Sequence, residues 1–152
     1  MKYLGSKEIE TKRLILKKQT IKEQKRLWEI LMKPEVNKYY LSISRKFREN
    51  LKIWDKQKVF YEKSLETVDN LDQFKWSIFL KENNECIGQL TCQEIENKEK
   101  DVRDVGWFID PTYQGKGYCT EAARAMLDFM FKECEIKKIG TSAATKNDKS
   151  WK

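Results

Sequence analysis

Two glycines one residue apart, with a lysine between them, give the chain its clearest chemical signal: Gln114-Gly115-Lys116-Gly117-Tyr118-Cys119-Thr120. Glycine permits dihedrals closed to other residues and brings main-chain N–H groups close to a ligand. Apolar residues then recur at Ala122, Ala123, Met126, Leu127, Met130 and Phe131, which predicts a helix over Thr120 to Lys132 that packs this one broad face on a sheet. Its N-terminus would add the positive end of a dipole, and Lys116 a full charge. Together they suit an anion, with a phosphate-bearing ligand as the first reading. A glycine-x-glycine turn before a helix is also an ordinary structural turn, so the motif by itself leaves both readings open.

The remaining inventory narrows the chemistry. The chain has no histidine, which removes the commonest general base and every Ser-His or Cys-His nucleophile pair. Proton transfer falls to a carboxylate, a tyrosine, a cysteine or water. Cys86, Cys92, Cys119 and Cys134 form no CxxC pair, so reduced thiols and no metal site are expected. Cys119 sits beside a helix start, a place where a thiol pKa can fall; its alternative role is that of a small packed residue.

Charge is unevenly spread. Residues 1–70 carry 18 Lys+Arg against 10 Asp+Glu, and residues 71–152 carry 13 against 14, which reproduces the net +7. A basic front half attracts nucleic acid, acidic acceptors or phosphorylated ligands. Its cations are interspersed with acids and form no block of five, which favours a solvated lysine-rich surface and argues against a nucleic-acid footprint. At 152 residues one domain, 1–152, is expected. No apolar run approaches the ~20 residues that span a bilayer, and Met1 to Gly5 is not followed by a signal-type core. The expectation is a cytoplasmic protein without a membrane partner.

The elements that position the turn follow in order. Leu14-Ile15-Leu16, within Ile9 to Gln19, suits a first strand, and Thr20 with Glu23 forms a capping box for a helix striped by Leu27, Trp28 and Leu31 and stopped by Pro34. Glu35 to Ser44 reads as irregular, with Tyr39 and Tyr40 able to line a pocket or cover the core. Phe47, Leu51, Trp54, Tyr61, Leu65 and Val68 keep a helical period, as one helix or two with a break near Asp55 to Lys58, whose aromatic stripe packs the core. Phe74 to Leu80 and Cys86 to Thr91 read as a hairpin, in which Gly88 implies a bulge or a close backbone approach. Val102 to Ile109 is the strand feeding the glycine turn, with Asp104, Gly106 and Phe108 on one face and Val105, Trp107 and Ile109 on the other. Ile136 to Thr145 follows as a parallel strand.

In this context Gln114 to Ala122 resembles the Q/R-x-x-G-x-G/A signature of the GNAT superfamily of N-acetyltransferases, preceded by a strand ending in Trp107-Phe108-Ile109-Asp110-Pro111. Glu10 to Leu16 is similar to the opening strand of the branch that acetylates ribosomal-protein N-termini and small amines. Lys33-Pro34-Glu35-Val36, Cys86-Ile87-Gly88 and the pair Asn147 and Ser150 resemble further elements of that branch. The resemblance covers nearly the whole chain and implies an α/β (α+β) fold: a mixed, mostly antiparallel splayed sheet flanked by helices.

The resemblance also implies an acetyl-CoA site. Phe108, Ile109 and Asp110 would pair their main chain with pantetheine, Gln114 to Thr120 (with Gly115, Lys116, Gly117, Tyr118 and Cys119) would cradle the pyrophosphate, and Asn147 would contact the CoA arm. An amine acceptor, on a protein N-terminus or a small molecule, would attack the thioester directly. Asp104 stands where the branch often has Glu and is the expected base, directly or through water; its alternative is a surface pair with Arg103 or a lysine. Cys119 replaces the usual Gly or Ala. The family normally continues past the N-x-x-S element, so the chain reads as short at the C-terminus, lacking the last strands, with Ser150 as the remaining candidate proton donor. That leaves a sheet edge which truncation or homodimerisation would explain. Two other readings stand beside acetyl transfer: a CoA-binding module with little turnover, and a basic nucleic-acid binder.

Overall fold

Segments that alternate apolar and polar residues build one sheet, and the helices bury its two faces. The structure, a computed structural model, describes residues 2–37, 53–69, 73–94 and 102–141. Six strands stand side by side in chain order: β1 (Ile9–Glu10), β2 (Leu14–Lys18), β3 (Phe74–Leu80), β4 (Cys86–Glu94), β5 (Val102–Ile109) and β6 (Lys138–Thr141). Neighbours are antiparallel except β5 and β6, which run parallel because a helix carries the chain between them. Among the described residues the α-helices are α1 (Gln24–Leu31), α2 (Pro34–Asn37), α3 (Trp54–Thr67) and α4 (Tyr118–Lys132). This is the mixed, mostly antiparallel α/β architecture expected. No described helix is long and apolar enough to cross a membrane.

The main core lies between the sheet and α4. Leu14, Leu16, Phe74, Trp76, Ile78, Val105 and Ile109 meet Ala122, Met126, Phe129 and Met130 there. Phe74 stacks on Trp76, and Phe129 meets both rings edge-on. Phe129 thus takes the core place expected of Phe131, which is 44% exposed on the outer side of the helix. A smaller cluster of Leu27, Ile30, Val36, Cys86 and Phe108 fills the opposite face beneath α1. The alternation of β5 therefore holds: Val105 and Ile109 serve the α4 side, and Phe108, with Asp104 and Gly106 in phase, serves the α1 side.

Local signals explain most boundaries. The Glu23 carboxylate accepts from the Thr20 N–H at 2.7 Å and the Thr20 hydroxyl at 2.6 Å, and a 3-10 turn over Ile21–Glu23 leads into α1. Pro34 opens α2, a position where its missing N–H costs nothing, so residues 35–37 are helical rather than irregular. Helix α3 runs unbroken through Asp55 and Lys58; extended backbone at Ile53 (φ −106°, ψ 106°) precedes it. Its stripe is only partly core, since Val68 is buried while Trp54, Tyr61 and Leu65 are half-buried. Gly88 meets both expectations. Ile78 pairs with Gly88 and Phe79 with Cys86, which leaves Ile87 as the extra residue of a bulge, and a Cβ on Gly88 would lie 2.2 Å from the Phe108 carbonyl oxygen. Tyr39, Tyr40, Phe47, Leu51 and positions 142–145 of the last predicted strand lie outside the described residues.

Candidate active site

Asp110 follows β5 and starts the turn that leads to α4. Its carboxylate accepts the Thr112 N–H at 3.1 Å, and Pro111 opens a 3-10 turn over Pro111–Tyr113. The chain then reaches Gly115 and Gly117, both at φ +79°, in the left-handed region where a side chain is strained. Gly117 caps α4 through its carbonyl, which accepts the Glu121 N–H at 3.0 Å as the first helical bond. The N–H groups before that bond have no place in the helical ladder and face the N-terminal end. Gln114, Gly115, Lys116 and Gly117 are exposed, and a Cβ at Gly115 would meet nothing within 4 Å, so the turn stands open to a ligand.

Two cations flank this turn. The Arg13 guanidinium, from the entry to β2, sits 4.4 Å from the Tyr118 ring centroid, and the Lys116 ammonium 5.7 Å from that of Tyr113. Arg13 Nε donates to Glu121 Oε1 at 2.7 Å, while the Thr11 hydroxyl and the Arg13 N–H donate to Oε2 at 2.5 and 2.9 Å. Burial alone would raise the Glu121 pKa. Thr11 and Arg13 outweigh it and hold the carboxyl below its ordinary range. Arg13 Nη1 also donates to the Lys116 carbonyl at 2.9 Å, so β2 is tied to the glycine turn itself.

A second tether acts one residue beyond β5. Asp110 is 2% exposed, and its carboxylate accepts from Lys33 Nζ at 2.6 Å and Arg26 Nη2 at 2.7 Å. Desolvation pushes its pKa up, but Lys33, the Thr112 N–H and Arg26 together bring it below the ordinary value. Arg26 further donates to the Cys86 carbonyl and to Glu85, and Glu85 accepts from the Tyr113 hydroxyl. Helix α1, the hairpin and the start of the glycine turn are thereby joined through the Arg26–Asp110 pair.

The register of β5 assigns its main-chain groups. The Asp110 N–H donates to the Ile87 carbonyl at 2.7 Å and its carbonyl accepts the Tyr113 N–H, so Asp110 spends both groups internally. Gly88 and Ile109 are thus a non-hydrogen-bonded pair, and Phe108 turns its main chain toward β4, whereas Ile109 turns toward the other edge. On that edge the described part of β6 pairs only with Val102 to Val105, which leaves the Ile109 level beyond its register.

Asp104 lies on the α1 side of β5, half exposed, six residues before Asp110. At ~3.3 Å per strand residue it stands roughly 20 Å from the turn, a distance that only an extended ligand along β5 would bridge. Its charge, after burial, contributes to the raised pKa of Cys92. Cys119 is half buried against the main core, and burial pushes its thiol up to about 12. Thr120 is half buried in the first turn of α4. Asn147 and Ser150 lie outside the described residues. Among the described residues no group of three metal-ligating side chains could hold an ion. Arg13, Glu121, Arg26 and Lys33 were not singled out from the sequence, because their partners lie 77 to 108 residues away.

A parallel strand pair joined by a helix that opens on exposed left-handed glycines, within a mostly antiparallel sheet, is the arrangement expected of an acyl-CoA-dependent acyltransferase. A family model described as acetyltransferase (GNAT) domain matches residues 13–152, and the chain belongs to that family. It is similar to the uncharacterized N-acetyltransferase YnaD of Bacillus subtilis, with 27% identity over 95% of this chain and 77% of the relative. It is similar also to the uncharacterized N-acetyltransferase p20 of Bacillus licheniformis, with 28% identity over 93% of this chain and 76% of the relative. Among solved structures, a GNAT-family acetyltransferase from Bacillus anthracis superposes with a TM-score of 0.74 at 22% identity, covering 95% of this chain and 78% of that one. RimL, a ribosomal L7/L12 alpha-N-protein acetyltransferase in complex with coenzyme A, superposes with the same TM-score at 18% identity and the same coverages. The chain is thus an N-acetyltransferase by family.

Proposed function

We propose that the chain moves the acetyl group of acetyl-CoA to a primary amine, on a protein N-terminus or a small molecule, by direct attack without an acyl-enzyme. The observation that carries this reading is the exposed turn with Gly115 and Gly117 at φ +79° opening onto α4. Open space at Gly115 and the flanking cations Arg13 and Lys116 fit a pyrophosphate. Gln114 to Thr120 cradle it, and Ile109 offers main-chain N–H and C=O to pantetheine along the edge, while Phe108 and Asp110 shape that edge from the β4 side. In this reading a main-chain N–H of β5 polarises the thioester carbonyl, and Asp104, directly or through water, takes the proton of the attacking amine. Asn147 and Ser150 are proposed for the CoA arm and for protonating the leaving thiolate.

The ribosomal-protein acetyltransferase named among the structural neighbours supports an N-terminal amine as one acceptor class. The test is release of free thiol from acetyl-CoA against a panel of small amines and N-terminal peptides. Amine-dependent release is expected; CoA binding without release for every amine would leave the binding-module reading in its place.

A further inference from the structure

We propose that Arg13 is a positioning residue of the glycine turn: it orients the Lys116–Gly117 peptide so that the Gly117 N–H faces the pyrophosphate. The inference rests on the reading of that turn as the pyrophosphate cradle. A trans peptide is planar, with its carbonyl and its N–H pointing in opposite directions. Arg13 Nη1 holds the Lys116 carbonyl at 2.9 Å, so the N–H of Gly117 in the same plane is directed away from Arg13 and out of the turn. Gly117, with no side chain and a φ of +79°, leaves that plane little intrinsic preference on its C-terminal side, and a turn without the tether would sample flipped orientations that offer a carbonyl to the anion.

Arg13 is itself fixed for this task. Its Nε and main-chain N–H both donate to Glu121, which Thr11 also holds, and its guanidinium carbon lies 4.4 Å from the Tyr118 ring centroid. The pair has a second consequence. Glu121 places a carboxylate in the first turn of α4, where negative charge competes with an external anion for the positive end of the helix. The Arg13 guanidinium, 2.7 Å away, neutralises it. One arginine thus removes the competing charge and presents the donor.

The experiment compares coenzyme A with pantetheine, which lacks the pyrophosphate, by NMR titration of the whole chain and its Arg13→Gln variant. Binding of coenzyme A is expected to weaken about tenfold or more in the variant, with pantetheine affinity held within about twofold. An equal loss for both ligands makes Arg13 a general structural strut and overturns the inference, as does unaltered coenzyme A binding. Failure of the unsubstituted chain to bind coenzyme A removes the cradle reading first, and this inference with it. Should Arg13→Gln not fold, Arg13→Lys carries the same comparison, because one ammonium cannot reproduce the guanidinium fork to Glu121 and the Lys116 carbonyl. A loss confined to coenzyme A again supports the role, and a loss shared with pantetheine overturns it.

Discussion

Arg26 and Asp110 meet at 2.7 Å across 84 residues of sequence, on a carboxylate that is 2% exposed and that Lys33 holds from its other oxygen. The contact ties α1 to the residue that follows β5 and caps the 3-10 turn leading to the glycines.

Replacing Asp110 by Ala leaves two cations facing a partly buried site. Loss of one partner from a fully buried pair costs about 3–5 kcal/mol; Arg26 and Lys33 each keep about a third of their side chains in water, which lowers the expectation to about 2–3 kcal/mol. Urea unfolding measures it. A loss below about 0.5 kcal/mol would show that the cations are satisfied by solvent.

Acid should act through the same carboxylates. Asp110 and Glu121 both have folded pKa values below their ordinary ones, so each contributes stability that is complete above the unfolded pKa, about 3.9 for Asp and 4.3 for Glu. That contribution is lost as pH falls through the depressed folded values. Stability is expected to decline below about pH 5, and more shallowly in an Asp110→Asn, Glu121→Gln double variant. Parallel pH profiles for the two proteins would contradict the assignment.

Gly88 has no room for a side chain. Its Cβ would lie 2.2 Å from the Phe108 carbonyl oxygen and 3.0 Å from Ile109 Cα, backbone atoms that cannot step aside without parting β4 from β5. Gly88→Ala is expected to cost about 3 kcal/mol or more. A melting temperature unchanged from that of the parent protein would refute the packing described.

Gly117→Glu tests the cradle. The position has φ +79°, strained for any L side chain, but a Cβ there meets only Arg13 Nη2 at 3.4 Å, so no clash adds to that strain while a carboxylate enters the proposed anion site. Coenzyme A affinity is expected to fall about tenfold or more by calorimetry. Unaltered affinity would move the ligand away from this turn.

Burial holds the Cys119 thiol at about 12, so almost no thiolate exists at neutral pH. Mixing with radiolabelled acetyl-CoA is expected to leave no label on the denatured protein, and Cys119→Ala should keep its turnover. A stoichiometric acetyl-cysteine would reverse the direct-attack reading.

The linear chain made the strands and the helix after the glycine turn legible, because these follow from local periodicity and from the dihedral freedom of glycine. Phe74 to Leu80 and Val102 to Ile109 have their expected bounds, and Gly88 its bulge. Phe131 is exposed because 129 and 131 lie on opposite flanks of Met130, and periodicity alone does not choose which flank meets the sheet; the rings of Phe74 and Trp76 select Phe129. Residues 35–37 were misread because a proline that stops one helix can open the next.

Of the candidate site, Gln114 to Thr120 was visible as an anion turn, since its chemistry lies in consecutive residues. Its supports were not. Arg13 and Arg26 look like any other cation in a lysine-rich front half, and nothing in their spacing marks them out. Main-chain direction was equally hidden: the register of β4 against β5 decides that Ile109 turns its main-chain groups away from β4 while those of Phe108 and Asp110 turn inward. Sequence dictates what depends on neighbours a few residues apart, namely periodicity, turns and caps. Which cation meets which carboxylate, and which peptide faces out, depends on long-range packing, and only the folded chain decides it.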